Sequence, residues 1–309
     1  MWLTCWNTVE RVKAVQFDQY GPPSVVYVAD VAEPHAGPGE IRISVRASGF
    51  SAGETAIRAG ARKDLVTLPF RTGYDAAGVV DEVGDGVAGI EPGQHVFGMT
   101  DAGRRGANAE YAVLVHWAAK PDTWSWAEAG GAAGAVETAT RVLDQLPGGT
   151  ILVHGAAGGV GTVAVQLAIA RGSAVIGTAS PRNHDFLRSL GAEPTAYGPG
   201  LVDRVGRVDA VFDCAGGALP DLIEIAGDPK RVVTITDGTA PRHGVHFSHS
   251  AAIPGADPLA VHGLAAAVKL AEEGRLSIPV AATFPLSEAA AAHELSESRH
   301  ARGKIVYLN

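Results

Sequence analysis

The amino-acid sequence predicts an α/β protein built in two parts, a β-rich barrel-like domain and a parallel sheet covered by helices on both faces. Three observations predict it. Residues 12–120 carry short alternating apolar runs broken by Gly and Pro; after Pro121 strand-length runs alternate with helix-length ones; and a glycine-rich turn, His154–Gly161, follows an apolar strand directly. The 309 residues suffice for two packed cores.

In chain order, residues 1–11 read as an N-terminal appendage with neither a basic leader nor a long apolar run, so no signal peptide or membrane span is expected there. Strand patterns begin at Val12–Phe17 and continue through Val25–Val28, Ile41–Val45 and Ala77–Val83, punctuated by Gly21-Pro22-Pro23, Gly37-Pro38-Gly39 and Pro92-Gly93. A helix is expected from Trp126 to about Leu146, ended by Pro147-Gly148-Gly149. The apolar strand Thr150–His154 follows, then the glycine turn and an amphipathic helix to about Arg171. Strand Ala174–Thr178, helix Arg182–Leu190, strand Val208–Phe212, helix Leu219–Ala226 and strand Arg231–Thr236 continue the alternation. From about Asp257 the tail reads as helix, strand, helix, strand, closing at Lys304–Leu308.

Composition narrows the function classes. A net charge of −8 offers no general attraction to nucleic acid or to an anionic membrane, so neither is expected as a partner. Two cysteines, Cys5 and Cys214, exclude a disulfide framework and a cysteine-rich zinc site, which fits a reducing cytoplasm.

The turn Gly155-Ala156-Ala157-Gly158-Gly159-Val160-Gly161 reads Ala-x-Gly-x-x-Gly and sits between a strand and a helix. Such a turn brings backbone amides, at a helix start, against the diphosphate of a dinucleotide. A plain tight connection is the bland alternative, and the strand–turn–helix context favours the coenzyme. An NAD site wants an acid about 20 residues further on. Here the second strand ends instead in Gly177-Thr178-Ala179-Ser180-Pro181-Arg182-Asn183-His184, with no acid before Asp185. The hydroxyl of Ser180 and the guanidinium of Arg182 suit the 2′-phosphate of NADPH. Ser180 is equally a helix cap with Pro181 in the first turn.

With these residues in view, the chain resembles the zinc-independent quinone oxidoreductase/zeta-crystallin-like branch of the medium-chain dehydrogenase/reductase superfamily. The resemblance runs from about Val12 to the C-terminus. It rests on Gly73–Val80, Ala109-Glu110-Tyr111, the turn at 155–161, Phe212–Gly217 and Gly303–Val306. It implies a GroES-like β-barrel catalytic domain from residues 12–122 and 257–309, and a Rossmann NADP-binding domain from 123–256, with the active site between them. It further implies Thr138 and the backbone near Thr236 beside the nicotinamide, Tyr197 beside the 2′-phosphate, and His184 and Cys214 among the residues facing the coenzyme. The segment leading to Tyr197 is one residue shorter than the family's usual one.

No metal is expected. Zinc-dependent relatives carry Cys near the position of Ser51 and Gly-His-Glu where this chain has Gly73-Tyr74-Asp75. His243, His246 and His249 read as surface histidines on a connecting segment. Without a metal, quinones and enones are suitable acceptors, because a hydride on a conjugated position leaves only a modest base to protonate. The family's Asn-x-x-Asp-x-Tyr-x-Arg-x-Gly stretch is Ser51–Gly60 here, with Glu54, Arg58 and Gly60 kept in kind and Ala56 in the Tyr position. Tyr74 is the candidate proton donor in its place, and Ser51 a candidate hydrogen-bond partner for the substrate oxygen. Glu137, next to Thr138, is expected to tune a proton or pair with Arg58 near the site, or else to lie on a solvated helix face.

The expected activity is NADPH-dependent reduction of a quinone or α,β-unsaturated carbonyl compound. An enoyl-thioester or biosynthetic tailoring reductase, and a non-catalytic NADPH-binding protein of the crystallin or sensor kind, are the alternatives. The resemblance also implies a homodimer, paired along the edge strand Gly244–Ser248.

Overall fold

A computed structural model describes residues 10–61, 63, 66–250 and 254–309; the expected appendage 1–11 falls almost wholly outside these described residues. The N-terminal region holds β1 (Arg11–Phe17), β2 (Tyr27–Ala32), β3 (Ile41–Phe50), α1 (Ala52–Arg58), β4 (Phe70–Arg71), β5 (Asp75–Val83), β6 (His95–Met99), β7 (Tyr111–Leu114) and β8 (His116–Ala119). Then come α2 (Trp126–Gly130), α3 (Ala133–Leu143), β9 (Thr150–His154), α4 (Gly161–Ala170), β10 (Ala174–Thr178), α5 (His184–Ser189), β11 (Glu193–Thr195), α6 (Leu201–Val205), β12 (Ala210–Asp213), α7 (Leu219–Ala226), β13 (Val232–Thr234) and β14 (His246–Phe247). The tail adds α8 (His262–Glu272), β15 (Val280–Pro285), α9 (Ala289–Glu297) and β16 (Lys304–Leu308).

β9 to β14 form a six-stranded, all-parallel sheet in the order β11-β10-β9-β12-β13-β14. In sequence rank this is 3-2-1-4-5-6, the doubly wound Rossmann order, whose winding reverses between β9 and β12. The central strands are buried nearly throughout, as strands covered on both faces must be. α4 is accordingly apolar on almost every side and buried from Gly161 to Ala168.

The N-terminal strands make a three-stranded sheet, β2-β1-β4, and a seven-stranded one, β15-β16-β3-β5-β6-β8 with β7 also on β3. β16 runs antiparallel to β3, pairing Tyr307 with Ser48, and parallel to β15. The last strand thus returns to the first half of the chain, giving the GroES-like part of a mixed α/β fold. Among the described residues no helix is long and apolar enough to cross a membrane.

Several expected elements are trimmed by local chemistry. The single helix expected over 126–146 is two: α2 starts at a capping box between Ser125 and Glu128 and ends at Gly131, and α3 stops at Leu143. Residues Pro181–Asn183 form a 3-10 turn before α5, and Pro229–Arg231 do so before β13, because Pro at the first turn suits a tight start. The expected strand Val208–Phe212 is Ala210–Asp213.

Candidate active site

A cleft of about 2070 Å³ lies between the Rossmann sheet and the barrel, large enough for a dinucleotide together with a small acceptor. Its nucleotide-binding wall is the glycine turn at the reversal point of the sheet. Gly155 donates its amide to Thr178 Oγ1 at 2.9 Å and Ala156 donates to the Thr178 carbonyl at 3.0 Å, which ties the turn to β10. A Cβ on Gly161 would stand 2.9 Å from the Ala156 Cα and collide with the Gly155 carbonyl, so only glycine lets the turn fold over the start of α4. No side chain caps that helix start; Thr162 N is bonded to the Gly158 carbonyl, and the amides of Gly159, Val160 and Gly161, with the helix dipole, are left for an anion. These features fit a dinucleotide diphosphate.

Of the expected coenzyme residues, Thr138, Gly155, Ala157, Gly158, Gly159, Val160, Gly161, Ser180, Arg182, Tyr197, Cys214 and Thr236 all line the cleft. Three expected site residues do not. Ala156 is fully buried, its backbone bonded to β10. His184 turns back on its own segment, with Nε2 3.3 Å from the Ala179 carbonyl. Tyr74 lies beneath Arg105, whose guanidinium carbon is 4.7 Å from its ring centre, and it reaches the cleft wall only through a hydrogen bond with Ser250. Burial and the nearby Glu137 carboxylate push the Tyr74 phenol up to about 12, so it stays protonated at neutral pH.

Ser51 lines the cleft but spends its hydroxyl as the cap of α1, accepting from Gly53 N at 3.2 Å. Glu54, three residues on, is fully buried; it accepts the Gly73 amide at 2.6 Å through Oε1, while Oε2 has no partner. Burial pushes its carboxyl up to about 7.

Asp213 shapes the other rim. Its Oδ1 accepts from Ala215 and Gly216, and its Oδ2 accepts from Thr234 Oγ1 at 2.7 Å, so the ends of β12 and β13 are clamped and Cys214 and Thr236 are held at the cleft. Burial and the neighbouring Asp213 push the Cys214 thiol up. His154 closes β9 with Nδ1 2.9 Å from Thr178 Oγ1; burial holds it below the ordinary imidazole range, hence neutral.

Two expectations about charges need correction. Glu137 is neither solvated nor near Arg58. It is fully buried, ion-paired with Arg141 at 2.8 Å, and also accepts from Thr138 Oγ1 and Ala260 N. Arg141 continues to Ser248 and to Asp257, and Asp257 to His246 at 3.0 Å. Arg58 is buried against Glu297, the Gly21 carbonyl and His293, away from Glu137. Of the three histidines read as surface groups, His243 and His246 are exposed, but His249 lines the cleft beside Ser248 and Ser250.

Residues 248–250, Arg71, Arg105, His154 and Lys304 line the cleft without having been expected there. Lys304 lies in the Gly303–Val306 stretch and packs its stem toward Gly159, with Nζ 3.7 Å from Asp75. Among the described residues, no group of three or more His, Cys, Asp or Glu is arranged to hold a metal ion.

Comparison with known proteins agrees with this architecture. Residues 37–147 match the alcohol dehydrogenase GroES-like domain, and residues 190–306 match a family described as zinc-binding dehydrogenase. The chain is 31% identical to the chloroplastic quinone-oxidoreductase QR1 of Triphysaria versicolor, over 96% of this chain and 98% of that one. It is 36% identical over 62% of its length to the spectinabilin polyketide synthase system protein NorB of Streptomyces orinoci, of which it spans only 9%. The structure of the quinone oxidoreductase from Coxiella burnetii superposes with a TM-score of 0.82 at 32% identity, covering 97% of this chain and all of that one. The glycine turn, the doubly wound sheet and the GroES-like half, matched nearly end to end by the two quinone oxidoreductases, place the chain in the zinc-independent, quinone oxidoreductase-like branch of the medium-chain dehydrogenase/reductase superfamily.

Proposed function

We propose that the chain is an NADPH-dependent oxidoreductase that reduces a quinone or an α,β-unsaturated carbonyl compound without zinc. The observation that carries the coenzyme half is the end of β10: Ser180 and Arg182 line the cleft, as does Tyr197 after the neighbouring β11, and no carboxylate stands where a ribose 2′-hydroxyl would need one. A guanidinium there recognises phosphate oxygens through charge-assisted bonds. When bound, the reduced nicotinamide supplies the hydride.

The chain's own residues do the rest. The free amides at the start of α4 hold the diphosphate, and the clamp between Asp213 and Thr234 fixes the rim carrying Cys214 and Thr236. Thr138 is oriented by its hydrogen bond to Glu137, which Arg141 holds in place. The reaction balances as one hydride to carbon and one proton from solvent, giving a hydroquinone or a saturated ketone. The test is NADPH consumption with 1,2-naphthoquinone and with a simple enone; coenzyme binding without turnover across an acceptor panel would leave only a sensor-like role.

The similarity to a polyketide synthase system protein favours one second reading, reduction of an enoyl thioester. Crotonyl thioesters in the same assay separate the two. We further propose that two copies pair through β14, the edge of the parallel sheet; light scattering giving a monomer at micromolar concentration overturns that.

A further inference from the structure

The cleft collects positive charge on a chain whose net charge is −8. Its lining acids are both engaged: Glu33 pairs with Arg42 at 2.6 Å and Glu297 with Arg58. Of its lining cations, Arg104 pairs with Glu40, Arg141 with Glu137 and Lys304 with Asp75. Arg71, Arg105, Arg182 and Arg299 line the same cleft with no carboxylate in salt-bridge range among the described residues. Arg182 is accounted for by the coenzyme phosphate proposed above. Arg71, Arg105 and Arg299 are not, and the first two come from adjoining segments.

These two arginines are neighbours. The backbone joins their segments, with Ala107 N donating to the Gly73 carbonyl and Asn108 N to the Thr72 carbonyl, both at 3.2 Å. A methyl placed on Gly106 would stand 4.0 Å from both Cβ and Cδ of Arg71, so the Arg71 stem runs alongside residue 106. Arg105 is held rigidly: its Nε donates to the Ala102 carbonyl at 3.0 Å and its guanidinium stacks on Tyr74 at 4.7 Å. Its backbone sits at φ 56°, a conformation unfavourable for a side chain other than glycine. Tyr74 hydrogen-bonds to Ser250 and lies near Glu137, the neighbour of Thr138, so the pair stands close to the residue that the proposed coenzyme placement sets beside the nicotinamide.

Two guanidinium groups on adjoining segments, neither in an ion pair among the described residues, match an oxyanion in charge. Resting on the oxidoreductase reading, we infer that Arg71 and Arg105 bind an anionic group on the acceptor, and so select unsaturated carbonyl compounds that carry a carboxylate or a phosphate at a distance from the reacting bond. Quinones and simple enones, being neutral, then serve as surrogate acceptors.

The test compares acceptors with the same reacting atoms and different charge: 4-oxo-2-pentenoate against its methyl ester, and crotonyl-coenzyme A against the neutral crotonyl N-acetylcysteamine thioester. The wild-type chain is expected to favour the charged member of one pair at least tenfold in kcat/KM at low salt, with the preference shrinking as salt rises. Arg71→Ala and Arg105→Gln should each cut that acid-to-neutral ratio at least fivefold. A preference confined to the acid pair assigns a carboxylate, and one confined to the thioester pair assigns a carrier phosphate. A ratio near one in the wild type, or a ratio unmoved by both variants, overturns the inference, as does loss of NADPH affinity in the variants. Titration of levulinate against methyl levulinate, and of 3′,5′-ADP against adenosine, on the NADPH-loaded protein reads the pair without turnover. Failure of all acceptors to be reduced would defeat the oxidoreductase reading, while these titrations still decide the anion site.

Discussion

Gly303 donates its amide to the Ala157 carbonyl at 3.0 Å, stitching the last strand to the glycine turn. Gly158 and Gly303 also form an isolated parallel bridge, and β16 continues into the sheet with β3. The turn that faces the cleft is therefore braced by the barrel half, by a residue 146 positions (303 − 157) away in sequence, and coenzyme affinity is expected to depend on it.

Gly303→Ala tests that brace. At φ 93° a side chain is strained, and its Cβ would lie 2.7 Å from the Pro279 carbonyl carbon. We expect about 1–3 kcal/mol of lost stability and a drop in NADPH affinity larger than that in a distant surface variant of equal melting temperature. Unchanged affinity in calorimetry would show the brace to be irrelevant to the turn.

Arg141→Met leaves Glu137 buried without its cation, beside only Thr138 and the Ala260 amide. Removing one partner of a buried pair costs about 3–5 kcal/mol, to be read as a lowered urea midpoint. A loss below about 1 kcal/mol would mean that Asp257 and Ser248, not Glu137, are what Arg141 serves.

Glu54 carries a carboxyl raised to about 7 from 4.5, so the folded protein holds a proton that the unfolded chain has released. Its contribution is fully present below pH 4.5 and is lost as pH rises through 7. Glu54→Gln should therefore gain on the wild type by roughly 2–3 kcal/mol at pH 8, with the advantage shrinking to nothing near pH 4.5. His293, lowered to about 3 by burial and Arg58, acts in the opposite sense, destabilising as pH falls below 6.5 in both proteins. Denaturant melts of the two at several pH values give the difference; a pH-independent gap would contradict the buried proton.

Tyr74→Phe should lower kcat by less than tenfold and leave the pH–rate profile without a lost limb below pH 10, because the phenol is raised to about 12 and lies under Arg105. A positioned general acid contributes 100-fold or more, so a loss of that size would restore Tyr74 as the proton donor.

The parts of the site that are legible in the sequence are those made by contiguous residues. The glycine turn declares itself because the strand before it and the helix after it are adjacent in the chain, and the tail's helix–strand rhythm is equally local. Residues joined only by folding are not legible. Nothing near Glu137 in sequence signals that Ser248 and Asp257 will bury its partner Arg141, and the period of three among His243, His246 and His249 does not say that only the last reaches the cleft. Arg105 is hidden for the same reason: its stacking on Tyr74 arises where the 105–108 segment pairs with 71–74. Helix ends at Leu143 and before His184 differ from the apolar pattern because prolines and glycines nearby set tighter turns than periodicity describes.

The most direct measurement is calorimetric titration of NADPH and NADH into the same preparation. A dinucleotide held on the amides before α4, with its 2′-phosphate beside Arg182, predicts NADPH binding at least tenfold tighter than NADH. Equal affinities would contradict the assignment of Arg182, and no heat with either would contradict the coenzyme site itself.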